Sequence, residues 1–238
     1  MPRANRFYWP GGVWHITHRC HNQEFLLKFE RDRQRWKYWL FKAKQRYGLS
    51  VLNYMATSNH IHLLLLDSGQ QSISRAMQLV AGRVAQEYNQ RKSRKGAFWE
   101  DRYFATAVST DEHLIRCHIY IDLNMVRAGA VAHPLNWKVS GYNELQNPPA
   151  RYQILDRLEL RRLYGFTDDK ALRVQHRLWL ESCLQENCMS RESIWSESLA
   201  VGPKEFIERV RSNLGARVYQ RRTHSVSTKT FTIQDAAY

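Results

Sequence analysis

The run Ser58 to Leu66, SNHIHLLLL, constrains the fold of this chain more than any other segment. It is too apolar for a loop. In an extended strand, residues two apart point to the same side, so His60 and His62 stand together while Ile61, Leu63 and Leu65 turn to the opposite face. A lone histidine on an apolar strand is ordinarily a hydrogen-bonded core residue. Two neutral imidazoles on one face are instead half of a divalent-metal site.

The surrounding pattern places this strand within a fold. Pro10-Gly11-Gly12 signals a turn, and Val13 to Cys20 reads as a strand with His15, Thr17 and Arg19 on one face. Asp32 to Tyr47 is helical, carries Trp36 and Leu40 along one side, and stops at Gly48. Ser50 to Ala56 and His60 to Leu66 are two strands joined by the short Thr57-Ser58-Asn59 link. Ile73 to Arg91 is a long amphipathic helix with Met77, Val80, Val84 and Tyr88 as its stripe. A fourth strand runs through Val108, and a helix follows from Asp111 to about Ala128, capped by Thr110 or Ser109. The predicted class is therefore α+β, a ferredoxin-like split βαβ sheet with helices on one face. In that fold the first and third strands are central neighbours, which puts His60 and His62 mid-sheet beside the Arg19 face.

Asn147-Pro148-Pro149 marks a boundary between a domain over 1–147 and a basic, mostly helical extension over 148–238. Helices are expected over Asp156 to Tyr164 and Asp168 to Leu184, and the polar Thr223 to Tyr238 is expected to be extended or mobile.

Charge narrows the partner. The 36 Lys and Arg against 22 Asp and Glu leave a net charge of +14, which calls for a polyanion, most simply nucleic acid. Basic and aromatic residues alternate in Arg6-Phe7-Tyr8-Trp9 and Arg35-Trp36-Lys37-Tyr38-Trp39, a mixture suited to single strands, although most of these rings are expected in the core. Cys20, Cys117, Cys183 and Cys188 form no CxxC pair, so no zinc ribbon is expected. The leader MPRANRFYWPGG lacks the apolar region of a signal peptide, and no run approaches membrane-spanning length. A cytoplasmic protein without a membrane partner is expected.

The helix after Asp111 carries Tyr120 and, four residues on, Asn124, with Arg116 and Arg127 near the same face. Leu114, Cys117 or His118, Ile121 and Met125 make the packing side. Paired imidazoles, a tyrosine and a basic surface together suit cleavage of a phosphodiester. A metal on His60 and His62, completed by the amide oxygen of Asn124, offsets charge on the phosphate. Tyr120 then attacks phosphorus, giving a 5′-phosphotyrosine and a free 3′-hydroxyl.

These residues carry a family resemblance. SNHIHLLLL resembles the histidine–hydrophobe–histidine motif of the single-tyrosine HUH endonucleases. IYIDLNMVRA, Ile119 to Ala128, resembles the tyrosine-helix signature of one IS200-like branch, the REP-associated tyrosine transposases, except that Met125 stands where proline is usual. Pro10 to Thr17, Phe98 to Tyr103 and Leu199 to Phe206 resemble that branch as well. The resemblance implies cleavage and rejoining of single-stranded DNA at palindromic hairpins with Mg²⁺ or Mn²⁺. It makes His60 and His62 metal ligands, Asn124 the third ligand and Tyr120 the nucleophile.

For DNA contact the sequence offers Arg19, Arg102, Arg116, Arg127 and the loop cations Arg91, Lys92, Arg94 and Lys95. Arg209, Arg211, Arg217, Arg221 and Arg222 make the C-terminal segment an auxiliary clamp. The alternative function is a regulator that grips nucleic-acid hairpins without cutting. A monomer and a homodimer are both compatible with the sequence.

Overall fold

The computed structural model describes residues 11–186, 190–214 and 222–234. Its first half is built on four strands: β1 (Val13–Arg19), β2 (Ser50–Ala56), β3 (His60–Leu66) and β4 (Phe104–Val108). Helix α1 (Glu30–Tyr47) joins β1 to β2, and α2 (Ser72–Arg91) joins β3 to β4. The spatial order β2-β3-β1-β4, all antiparallel, is the ferredoxin-like arrangement. The central pair β1·β3 sets Arg19 opposite His60 and Thr17 opposite His62, so these four side chains share one face.

Helices α1 and α2 pack together over the other face. Trp36, Leu40 and Ala43 of α1 and Ile73, Ala76, Met77, Val80 and Val84 of α2 are buried, at the spacing of an amphipathic helix. Trp36 lies against Tyr54, and Trp99 stacks on His18 while its indole N–H donates to the Ala81 carbonyl of α2. Gly48 ends α1 at φ 61°, a left-handed position that favours glycine, and its N–H donates to the Lys44 carbonyl.

The remaining helices lie on the site face and beyond it. Helix α3 (Glu112–Asp122) is capped by Asp111, whose carboxylate accepts from the His113 N–H, and not by Thr110 or Ser109. The single helix expected to Ala128 is broken at Leu123, where ψ rises to 0°, and resumes as the short α4 (Asn124–Arg127). Helices α5 (Gly141–Gln146), α6 (Arg157–Tyr164), α7 (Asp169–Gln185), α8 (Ile194–Glu197) and α9 (Lys204–Leu214) follow. Gly141 abuts β2 so closely that a Cβ there would stand 2.0 Å from the Asn53 side-chain oxygen.

The C-terminal part is less purely helical than its charge pattern suggests. Strand β5 (Ala200–Gly202) pairs parallel to β4, and the hairpin of β6 (Arg222–Ser227) and β7 (Thr230–Gln234) continues outward in the order β5-β7-β6. An open β4 edge and a tail rich in Thr, Val, Ile and Phe explain it, since β-branched and aromatic residues suit a pleated surface. Among the described residues no helix is long and apolar enough to cross a membrane. Cys20 and Cys117 are buried free thiols; Cys188 lies outside the described residues.

Candidate active site

The turn before β3 sets the first imidazole. The Asn59 amide N–H donates to the Gln23 carbonyl at 3.2 Å, which leaves its oxygen facing His60 Nδ1 at 2.7 Å. A backbone carbonyl only accepts and an amide oxygen only accepts, so His60 carries its proton on Nδ1. Its Nε2 is left with a bare lone pair.

The second imidazole is set by a longer relay. The Trp195 carbonyl lies 2.7 Å from His15 Nδ1, and His15 Nε2 lies 2.9 Å from His62 Nδ1. His15 must donate to the carbonyl from Nδ1. A neutral His15 can then only accept at Nε2, so His62 donates from Nδ1 and is bare at Nε2. The His15 and His62 rings are within 6° of parallel.

The two bare Nε2 atoms face each other at 3.0 Å. Neither holds a proton near neutral pH. Burial pushes His60 down to about 4, with Arg19 and Arg191 adding to it. Burial, with His60 and His15 beside it, drives His62 well below the usual range. Burial also takes His15 to about 4, against the pull of the Trp195 carbonyl. Two lone pairs pointed at one spot repel unless a cation lies between them. Two donors about 2.1 Å from one octahedral ion are about 3.0 Å apart, so the donor pair fits such an ion. Asn124 adds a third group, its side-chain nitrogen 3.0 Å from His62 Nε2. No other described partner decides which end of that amide faces the pair, and a flip presents its oxygen there.

Tyr120 reaches the same place from α3. Its ring centroid lies 6.2 Å from that of His62 and 6.3 Å from that of His15, edge-on to both. The Arg127 guanidinium sits 4.1 Å above the Tyr120 ring and donates to the Tyr120 carbonyl at 2.6 Å. Burial raises the pKa of the phenol, while Arg127 and Arg191 work against the rise. A cleft of about 430 Å³ opens onto Arg19, His60, His62, Tyr120, Asn124 and Arg127.

Several residues that bear on the cleft were not singled out by the sequence. Arg191 and Ser196 reach its wall from the C-terminal part. His15 appeared only as a residue of the active face, and nothing local marks the Trp195 carbonyl as its acceptor, 180 positions away. Asn59, inside the SNHIH run, was legible as a turn residue but not as the group that sets the His60 tautomer.

The other cations read as DNA contacts lie off the cleft. Arg91 pairs with the buried Asp32, Lys92 sits 5.9 Å from the centroid of the exposed Phe29 ring, and Arg94 donates to the Ala97 carbonyl. Lys95 and Arg102 are exposed. Arg116 turns to Glu192 and Thr230, on the side of Tyr120 away from the imidazoles. Arg209 lies near the Phe206 ring on α9. Residues 1–10, Arg217 and Arg221 are outside the described residues, as is the Arg222 side chain.

A second cluster was missed altogether. His118, Asp122 and His176 bring three ligand-type atoms within 4.8 Å of one another, all buried. The sequence marks His118 only as one of two choices for the packing side of the helix, and it carries no local signal at Asp122 or His176.

The family model for IS200-like transposases matches residues 12–124. No curated protein matches the chain. Among solved structures, a REP-associated tyrosine transposase bound to a REP hairpin is 18% identical, with a TM-score of 0.49, covering 66% of this chain and 94% of that one. A candidate transposase from Deinococcus radiodurans R1 is also 18% identical, with a TM-score of 0.37, covering 50% of this chain and 95% of the other. Over residues 12–124 the chain is thus similar to the IS200-like transposases.

Proposed function

We propose that this protein is a transposase that nicks and rejoins single-stranded DNA at palindromic hairpins through a 5′-phosphotyrosine. The observation that carries the reading is the convergence on one cleft of Tyr120 with two imidazoles whose Nε2 atoms are left bare by their own hydrogen bonds. His60 and His62 through Nε2, and Asn124 through its amide oxygen, would hold Mg²⁺ or Mn²⁺. Bound there, the ion supplies positive charge against a non-bridging phosphate oxygen.

The chain's own residues do the rest. Tyr120 attacks phosphorus in line with the leaving 3′-oxygen. The phenolic O–P bond forms, the P–O3′ bond breaks, and the 3′-oxygen takes up a proton. The phosphotyrosine keeps the phosphodiester's bond energy, so a 3′-hydroxyl can attack it in reverse and rejoin a strand. Since burial holds the phenol protonated, loss of its proton depends on positive charge in the cleft. Arg127 lies over the ring, and Arg19 faces the same space, where both oppose the phosphate charge.

In this reading residues 1–147 are the catalytic part and residues 148–238 an auxiliary, basic part. The second lends the first the Trp195 carbonyl and Arg191. Arg91, Lys92, Arg94, Lys95, Arg102 and Arg116 serve the duplex stem or flanking strand away from the cleft, and Arg127 and Arg19 serve the scissile phosphate.

The test is a covalent-adduct assay. A labelled single-stranded hairpin is incubated with the protein and Mn²⁺ and resolved on a denaturing gel. A slow-migrating adduct is expected with the native chain and none with Tyr120→Phe, which keeps hairpin binding. Binding without an adduct from the native chain would make the protein a hairpin-binding regulator. Cleavage without linkage would make it a hydrolase using activated water.

A further inference from the structure

Away from the cleft, α3 and α7 meet around a buried polar cluster. Asp122 is fully buried, and its Oδ1 accepts from the Asn53 amide at 2.9 Å. Its Oδ2 has no hydrogen-bond partner among the described residues. His176 Nε2 lies 3.0 Å from that oxygen, yet no aligned hydrogen bond joins them, and both ring nitrogens of His176 are without one. His118 Nε2, 3.8 Å from the same oxygen, is also unpartnered, while its Nδ1 lies 2.7 Å from the Tyr164 hydroxyl.

Four unpartnered polar atoms on three buried side chains are costly, and an uncompensated buried carboxylate more so. A single cation relieves three of them together: Asp122 Oδ2, His118 Nε2 and one nitrogen of His176. We infer that His118, Asp122 and His176 form a closed site for a structural divalent ion of the Zn²⁺ type, separate from the cleft. Two imidazoles and one carboxylate are a zinc donor set. Tetrahedral donors about 2.0–2.1 Å from zinc stand about 3.4 Å apart, and the observed gaps of 3.0 and 3.8 Å straddle that spacing. The Tyr164 hydroxyl occupies the place where a ligating histidine's other nitrogen usually finds its partner. Three protein donors leave a fourth position, but all three are buried, so no substrate reaches it; a water would fill it, and the ion has a structural role, tying the helix carrying Tyr120 to the C-terminal part. The inference stands on this pocket alone and is independent of the DNA-cleavage reading.

The test uses the full chain with His60→Ala and His62→Ala, which removes the cleft donors. The protein is stripped with a chelator and titrated with Co²⁺. Tetrahedral visible bands saturating at one ion per chain are expected, displaced by Zn²⁺ and absent when His176→Gln is added. Zn²⁺ should also raise the melting temperature of the double variant. Bands that survive His176→Gln, or a folded double variant that shows none, overturn the inference. Should His176→Gln not fold, X-ray absorption of the Zn²⁺-loaded double variant decides. Imidazole and carboxylate scatterers support the site, and sulfur or water ligands alone reject it.

Discussion

Two histidine clusters sit on the same side of one sheet, and they differ in charge and in access. At the cleft, His60 and His62 present bare Nε2 atoms to solvent-accessible space, with no carboxylate among their partners. At the α3–α7 contact, His118 and His176 surround Asp122 with no exposure. A metal site built for catalysis keeps positions open for substrate, and a structural site closes them. In the proposed mechanism, the lack of a carboxylate among the described donors at the cleft has a chemical use. An anionic ligand would weaken the ion's pull on a phosphate that is itself anionic, whereas neutral imidazoles leave the full charge available. In the sealed pocket the carboxylate balances an ion that no substrate reaches.

The contrast predicts opposite phenotypes, and the sharpest way to break it is to exchange them. His62→Ala should lower adduct formation by at least about a hundredfold, the scale of losing one preorganised charge stabiliser, while the chain still folds. Asp122→Ala should do the reverse. Removing one member of a buried charged cluster costs about 3 kcal/mol or more of stability, read by chemical denaturation, with any remaining folded protein still forming adduct. A stable Asp122→Ala with no adduct would put the two clusters in one functional unit.

His15 links the cleft to Trp195, and its replacement sharpens the comparison further. His15→Leu removes the acceptor that leaves His62 bare at Nε2. The Mn²⁺ concentration for half-maximal adduct should rise about 10- to 100-fold, the usual cost of an outer-shell partner, with the limiting rate little changed. An unchanged Mn²⁺ dependence would mean that the tautomer is not set by this relay.

The pH profile follows from the lowered pKa of His60 and the raised pKa of Tyr120. The imidazole of His60, down at about 4, is neutral throughout the near-neutral range, and the Tyr120 pKa is raised. Single-turnover adduct formation should therefore climb about tenfold per pH unit between about pH 6 and pH 8, since only the phenol is still to lose a proton. Stability moves in the same direction. The unfolded chain binds a proton at His15 below about 6.5, whereas the folded chain resists until about 4, so the denaturation midpoint should fall as pH drops through that window. A midpoint flat over that range would contradict the sealed, neutral state of His15.

The smallest effect is expected off both clusters. Lys95→Ala, on the exposed loop after α2, should weaken hairpin binding a few-fold and reduce the salt dependence by about one ion. It should leave the rate at saturating DNA unchanged.

Much of this molecule was legible along the chain because its signals are local. Strands β2 and β3 fall at the expected residues, since alternation and the Thr57-Ser58-Asn59 turn are short-range features. The break at Leu123 was not legible, because the sequence there keeps a helical apolar pattern through Met125. Strand β5 was not legible: a three-residue strand has no periodicity to read, and it exists because β4 offers an edge. The tail from Thr223 is extended as its composition suggests, over β6 and β7, but its pairing onto β5 is a tertiary matter.

The alternation of His60, Ile61 and His62 determined, without any fold, that two imidazoles share a face, because the pleat repeats every two residues. Only the tertiary structure decided which nitrogen of each ring is bare. That choice rests on the carbonyls of Gln23 and Trp195, 36 and 180 positions away in sequence from the Asn59 amide and the His15 ring that they bind.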